Sequence, residues 1–256
     1  MGSADKDWEL WGQDDPYYGV LADEKFRRHN LSQETLRDFF ASGEEHVNRV
    51  LGVIWQHLEA NFKPTKALDF GCGVGRLAVP LAGLCKTVTG LDVSKPMLVE
   101  AEKNCRDKGI TNARFLASDD QLSGLDGEYD FIHSFIVFQH IPIRRGEQIL
   151  EKLLARLTVG GAAVLHFTYD RQASFLRKAV NWVRHNIPLA HPVFNILQDK
   201  RLAERPIQMN YYNLGRLINI FHDNNLTSLF LETTNHGGHC GVVFYGLKST
   251  EHAPHV

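Results

Sequence analysis

The sequence predicts an α/β fold, a doubly wound and mostly parallel sheet with helices on both faces. Three observations carry this. From Lys66 to Thr168, short apolar runs alternate with amphipathic segments of helical period. Gly71, Gly73 and Gly75 crowd the turn after the first run, in "ALDFGCGVGRLAVPLA". Near the end, Leu226–Thr233 and Gly241–Leu247 are β-like runs joined by "TNHGGH", a hairpin that adds one antiparallel strand.

The elements follow in order. Trp8 to Tyr18 is aromatic and acidic and is expected to be irregular. A short helix runs from Ser32, its N-cap, to about Phe40. A second helix, Glu44 to Ala60, places Val47, Val50, Leu51, Ile54 and Leu58 on one face. Then come strand Ala67–Phe70, helix Arg76–Leu84, strand Thr87–Leu91, helix Lys95–Lys108 and strand Ala113–Ala117. Strand Tyr129–Ser134, helix Arg144–Leu157 and strand Ala162–Thr168 complete the alternation. Residues 171–208 break it. "ASFLRKAVNWVRHNI" has helical period and Pro188 and Pro192 interrupt it, so this is a helical insertion after the fifth strand. Phe175, Val180, Trp182, Val183 and Phe194 recur at roughly helical spacing, which suits a substrate lid; a dimer interface is the alternative. "YNLGRLINIFHDNN" returns to the scaffold as a helix. The division expected is an N-terminal arm or lid, 1–43, and a main domain, 44–256.

Composition narrows the function. The 256 residues hold 28 Lys and Arg against 30 Asp and Glu, so no global basic field attracts nucleic acid or anionic lipid. No apolar run approaches a membrane span, and "MGSADKDWELWGQDD" has no signal core. Cys72, Cys85, Cys105 and Cys240 are scattered, without metal spacing or a disulfide framework. A soluble, cytoplasmic protein is expected, monomer or homodimer, without a resident metal.

The glycine cluster asks for a ligand. In an open parallel sheet, ligands sit beyond the carboxyl ends of the strands, and glycines let a ligand approach the backbone there. The spacing is G-x-G-x-G after Asp69, not the dinucleotide G-x-G-x-x-G. "DFGCGVG" resembles the first motif of class I S-adenosylmethionine-dependent methyltransferases. In that family the acid and the glycine turn hold the methionine end of the cofactor. The resemblance assigns Asp69, Gly71, Gly73 and Gly75 to that end. Cys72 and Arg76 lie in the same loop, with packing or the helix start as their alternative. "GLDVS" places Asp92 where the family carries its ribose-binding acid, and Met97 follows where an apolar side chain covers adenine. "FLASDDQL" offers Asp119, and next to it Asp120, for the adenine amino group. "EYDFIHSFIVFQHI" matches the fourth-strand motif, with Ser134 leaving the strand on the cofactor side and His140 opening the next helix. "LTVGGAAVLHF" matches the turn into the fifth strand. The match covers about Leu51 to Thr168. It implies seven strands in the order 3-2-1-4-5-7-6 with the last strand antiparallel, S-adenosylmethionine as cofactor and S-adenosylhomocysteine as product.

Absences then narrow the acceptor. "SFIV" stands where base-amine methylating enzymes carry N/D-P-P-aromatic, and no Pro-Cys pair serves attack through a thiolate. Ser134 stands where magnesium-dependent catechol-type enzymes place an acid. No Lys/Arg-rich arm suggests an RNA platform. A small-molecule acceptor methylated at oxygen is the reading. "WGQDDPYYGVL" and "FFASGE" loosely resemble bacterial methyltransferases of specialised or sugar metabolism. An RNA or protein methyltransferase, or a cofactor-binding protein without catalysis, stays open. His140, His236 and His239 are the candidate bases, with His140 first, because a hydroxyl acceptor profits from a base near neutral pKa. Tyr17, Tyr18, Tyr211 and Tyr212 are candidate substrate contacts. Trp8 and Trp11 have no other obvious core to join.

Overall fold

The computed structural model describes residues 3–172 and 208–250 of the chain. The expected lid, 171–208, lies outside the described residues except at its two ends.

Its sheet has seven strands: β1 (Lys66–Phe70), β2 (Thr87–Asp92), β3 (Ala113–Ala117), β4 (Tyr129–Ser134), β5 (Leu157–Arg171), β6 (Ser228–His236) and β7 (His239–Leu247). Their order is β3-β2-β1-β4-β5-β7-β6, and β7 runs antiparallel to both neighbours, as expected. Alternate residues face opposite layers. Leu68, Ile132, Leu165 and Phe244 face α6 (Ile143–Ala155) and α7 (Leu214–Asp223). Ala67, Phe131, Val164 and Val243 face α3 (Gln33–His57), α4 (Ala78–Leu84) and α5 (Lys95–Asp107). Burial on both faces explains why the strands read as continuous apolar runs rather than alternating ones.

Several bounds differ from expectation. Trp8–Tyr18 is not irregular: it belongs to α1 (Ser3–Asp14) and α2 (Pro16–Val20). Trp8 and Trp11, three residues apart, share one helical face that packs with Phe39 and Met97. Pro16 opens α2 in the first helical turn, where its missing N–H costs nothing. The two helices expected between Ser32 and Ala60 are one, α3. Ser32 caps it, accepting from the Thr35 N–H at 3.2 Å while the Thr35 hydroxyl accepts from the Ser32 N–H at 2.8 Å. Gly43 does not break this helix. A Cβ there would run into the backbone carbonyl of Arg76, so glycine permits a close approach. The boundary expected at residue 43 therefore falls inside α3. Helix α4 starts at Ala78 rather than Arg76, because the glycine turn occupies the residues before it. Among the described residues no helix is long and apolar enough to cross a membrane.

Candidate active site

The carboxyl ends of β1, β2 and β4 open into a cleft of about 1060 Å³, its solvent-open mouth included. The turn Gly71–Gly73, Asp92 and Met97 form one wall, and Phe135–Val137 and His140 another. Trp8, Gly19 and Val20 of the N-terminal helices close over it.

Gly71, Gly73 and Gly75 all have positive φ, at 75°, 52° and 84°, which glycine alone adopts without strain. The turn's N–H groups are largely used within the protein. Those of Gly71 and Cys72 donate to the Leu91 carbonyl at 2.7 and 2.9 Å, and that of Gly73 donates to Asp92 Oδ2 at 2.9 Å. Gly75 does not line the cleft; a Cβ there would meet Ala101 of α5 at 3.4 Å, so it serves helix packing. Cys72 belongs to the cleft lining, but burial pushes its thiol pKa well up, which leaves it inert as a nucleophile.

Asp92, at the tip of β2, is buried and accepts from the N–H of Gly73 and of Ser94, each at 2.9 Å. Burial pushes its pKa up to about 6, and these two N–H groups oppose the shift. Each carboxylate oxygen keeps a second lone pair for a ligand. Asp69 and Arg76 are both buried cleft residues, and Asp69 Oδ2 and Arg76 Nε have no hydrogen-bond partner in the protein. Burial lowers the Arg76 pKa to about 10, and the charge of Asp69 works against that. An acid and a base, each with a buried polar atom to spare, match the ammonium and carboxylate of an α-amino acid. Met97 is buried at the same wall.

Asp119 lines the cleft but is exposed, and it organises its own loop. It accepts from the N–H groups of Gln121 and Ser123 at 2.9 and 3.0 Å and from the Ser123 hydroxyl. Those bonds hold its pKa down. Asp120 pairs with Arg145 at 2.7 Å, and Arg145 reaches Asp5 of α1 at 2.7 and 3.0 Å.

Ser134 is a correction. Its hydroxyl donates to the Phe70 carbonyl at 2.9 Å and ties β4 to β1; it does not line the cleft. The three residues after it do. Ile136 has φ of 61°, a costly conformation for a β-branched residue. No local sequence signal marks that strain.

The three histidines do not converge. His140 lines the cleft, with the Trp8 ring 4.9 Å away. Its Nδ1 lies 2.8 Å from the Gln208 carbonyl, which only accepts, so Nδ1 carries the proton. Its Nε2 then faces the Gln139 amide nitrogen at 3.1 Å. Burial lowers its pKa to about 4, so the expectation of a base near neutrality does not hold. His236 and His239 lie outside the cleft wall. His236 sits 5.6 Å, ring to ring, from His166, and His239 bonds the Tyr211 hydroxyl at 3.0 Å.

The tyrosines lie off the cleft wall as well. Tyr17 is buried, donating to Glu100 or Asn104 at 2.8 Å, and Tyr212 is buried with its hydroxyl within bonding distance of the Phe138 and Ile141 carbonyls at 3.1 and 2.9 Å. Tyr18 lies under the Arg27 guanidinium at 3.3 Å. None of Tyr17, Tyr18, Tyr211 and Tyr212 lines the cleft.

Comparison with known proteins agrees with this geometry. Residues 67–161 match the family described as "Methyltransferase domain". A ubiquinone biosynthesis O-methyltransferase of Thiobacillus denitrificans is 29% identical over 136 residues, 53% of this chain and 57% of that protein. A 23S rRNA uracil C5-methyltransferase of Aeromonas salmonicida is 44% identical over 62 residues, 24% of this chain and 14% of that protein. The chain thus spans little more than half of the first and a small part of the second. The magnesium protoporphyrin IX methyltransferase of Synechocystis PCC 6803, solved with S-adenosylhomocysteine, superposes with a TM-score of 0.59 at 18% identity, covering 92% of this chain and 98% of that one. Residues 67–161 thus match the methyltransferase domain family, and the described residues share the seven-stranded fold of the solved methyltransferase.

Proposed function

We propose that the protein transfers a methyl group from S-adenosylmethionine to an oxygen of a small-molecule acceptor. The observation that carries this is the pair Asp69 and Arg76, two buried residues of the cleft lining that each keep one unpartnered polar atom. Asp69 would hold the cofactor's ammonium, Arg76 its carboxylate and Asp92 the ribose hydroxyls. Met97 would give the apolar wall, with Asp119 at the rim for the adenine amino group. S-adenosylmethionine supplies a methyl group on a positively charged sulfur, an electrophile that needs no further activation. The protein's part is to orient the nucleophile and exclude water. The helices α1 and α2, which close over the cleft, would act as the lid. The acceptor faces Trp8, Phe135, Val137 and His140, a mainly aromatic and apolar wall that suits a small organic molecule better than a polyanion. The relatives named for small-molecule acceptors support that choice.

Calorimetry with S-adenosylmethionine and S-adenosylhomocysteine tests the cofactor reading directly. Asp92→Ala removes two charge-assisted acceptors from the turn as well as the ribose contacts, each worth roughly 1.5–3 kcal/mol. Cofactor affinity is expected to fall at least about a hundredfold. Unchanged affinity in this variant would end the assignment.

His140 is neutral across the physiological range, with its Nδ1–H fixed on Gln208. It would orient the acceptor as a neutral imidazole, through Nε2 once the acceptor displaces the Gln139 amide. His140→Ala is therefore expected to lower turnover by roughly 10–100-fold, at the low end of acid–base effects, with cofactor affinity within about twofold. The wild-type rate is expected to be flat from pH 6 to pH 8. A rate that climbs tenfold across that interval would return the role to a base of near-neutral pKa.

A further inference from the structure

Behind the cleft, a chain of polar side chains runs from Asp69 to α3. Asp69 Oδ1 faces His133 Nδ1 at 3.4 Å, and both side chains are buried. A carboxylate only accepts, so the ring presents Nδ1–H to it. His133 Nε2 lies 3.1 Å from His46 Nε2. Burial drives the His46 pKa down to about 2, with His133 and Arg76 adding to the shift, so His46 is neutral. Phe135 packs on the His46 ring at 4.2 Å.

The same helix supports the base. Ser42 precedes His46 by one helical turn, so the two lie on one face. The Ser42 hydroxyl donates to the Phe39 carbonyl at 2.6 Å, which leaves its oxygen to accept from Arg76 Nη1 at 3.4 Å. Gly43 lies between them and lets α3 approach the Arg76 backbone closely. One helix face thus reaches, through His133 and Ser42, both charged cleft residues that keep an unpartnered buried atom.

We propose that the Ser42–Gly43–His46 face of α3 is a positioning platform for the cofactor's amino-acid end: it holds Asp69 through His133 and Arg76 through Ser42, so that each keeps one polar atom aimed at an α-amino acid's ammonium or carboxylate. This rests on the reading that S-adenosylmethionine occupies the cleft. None of the three platform residues touches the cofactor. Their effect is on the orientation of Asp69 and Arg76, which makes them positioning residues.

The test compares two ligands on the full chain by calorimetry. S-adenosylhomocysteine carries the amino-acid end; 5′-methylthioadenosine is the same adenosine thioether without it. His46→Leu is expected to weaken S-adenosylhomocysteine by about tenfold and to leave 5′-methylthioadenosine within about twofold. His46→Gln, whose amide can still donate to His133 Nε2, is expected to restore most of the loss. Equal weakening of both ligands would reduce His46 to a structural residue and overturn the proposal, and so would no weakening of either. Wild-type protein that binds neither ligand would instead overturn the cofactor reading itself, and the platform with it.

Discussion

Between pH 7 and pH 5 the protein is expected to lose about 3–5 kcal/mol of folding stability and roughly 10 °C in Tm. Three buried histidines cause this. Burial lowers His46 to about 2, His140 to about 4 and His166 to about 3. In the unfolded chain each titrates near 6.5. Below that pH the unfolded chain takes up protons that the folded one refuses, so stability falls as pH falls from about 6.5 toward the folded values. At pH 5 each group contributes up to about 2 kcal/mol of this loss. Burial also lowers His236 and His239, in the same direction. Asp92 acts oppositely. Raised to about 6 in the fold, it binds a proton that an unfolded Asp would not hold at pH 5, and returns about 1–2 kcal/mol. Scanning calorimetry at the two pH values decides the matter. A Tm at pH 5 within about 2 °C of that at pH 7 would mean that the histidines are not held neutral in the fold.

Gly43→Val is expected to cost about 3 kcal/mol or more and to weaken S-adenosylhomocysteine binding by over tenfold. The new Cβ would press on the Arg76 backbone carbonyl, which cannot rotate away as a side-chain tip would. Helix α3 must then shift, taking Ser42 and His46 away from Arg76 and His133. Gly52, on the same helix, is the control: a Cβ there meets nothing within 4 Å. Gly52→Ala is expected to stabilise by up to about 1 kcal/mol, because glycine is a poor helix former. Denaturant unfolding of both variants gives the comparison. Equal stability of the two would show that α3 does not need its close approach at residue 43.

The inner strands β1, β2, β4 and β7 were legible because each is a short apolar run, buried on both faces, between turn residues. The glycine turn was legible because positive φ demands glycine, and the acids near the ends of β1, β2 and β3 were marked by the family resemblance. What could not be read depends on contacts between distant residues. Ser134 looked like a ligand group because its partner, the Phe70 carbonyl, lies 64 residues away. Tyr17 looked like a substrate contact because Glu100 and Asn104 lie 83 and 87 residues on. The single helix α3 was read as two because nothing nearby in the sequence reveals the Arg76 backbone that Gly43 must clear. The His46–His133–Asp69 chain joins three elements, and no short motif contains more than one of its members. His140 stands on the cleft lining, where a residue after the fourth strand is expected, but its lowered pKa comes from burial that composition does not measure.

The N-terminal helices have a kinetic meaning. Val20 lies against Gly73, Trp8 lies beside His140, and Asp5 is clasped by Arg145 across the cleft mouth. A molecule seated on the glycine turn can leave no faster than these helices lift away. Residence time is then set by the opening of a segment held by its packing on Phe39 and Met97, by the Tyr17 bonds to α5 and by the Asp5–Arg145 pair, rather than by the strength of the contacts beneath it. Exchange of spent cofactor for fresh would be the slow step of each cycle, and the clasp between Asp5 and Arg145 would act as its timer.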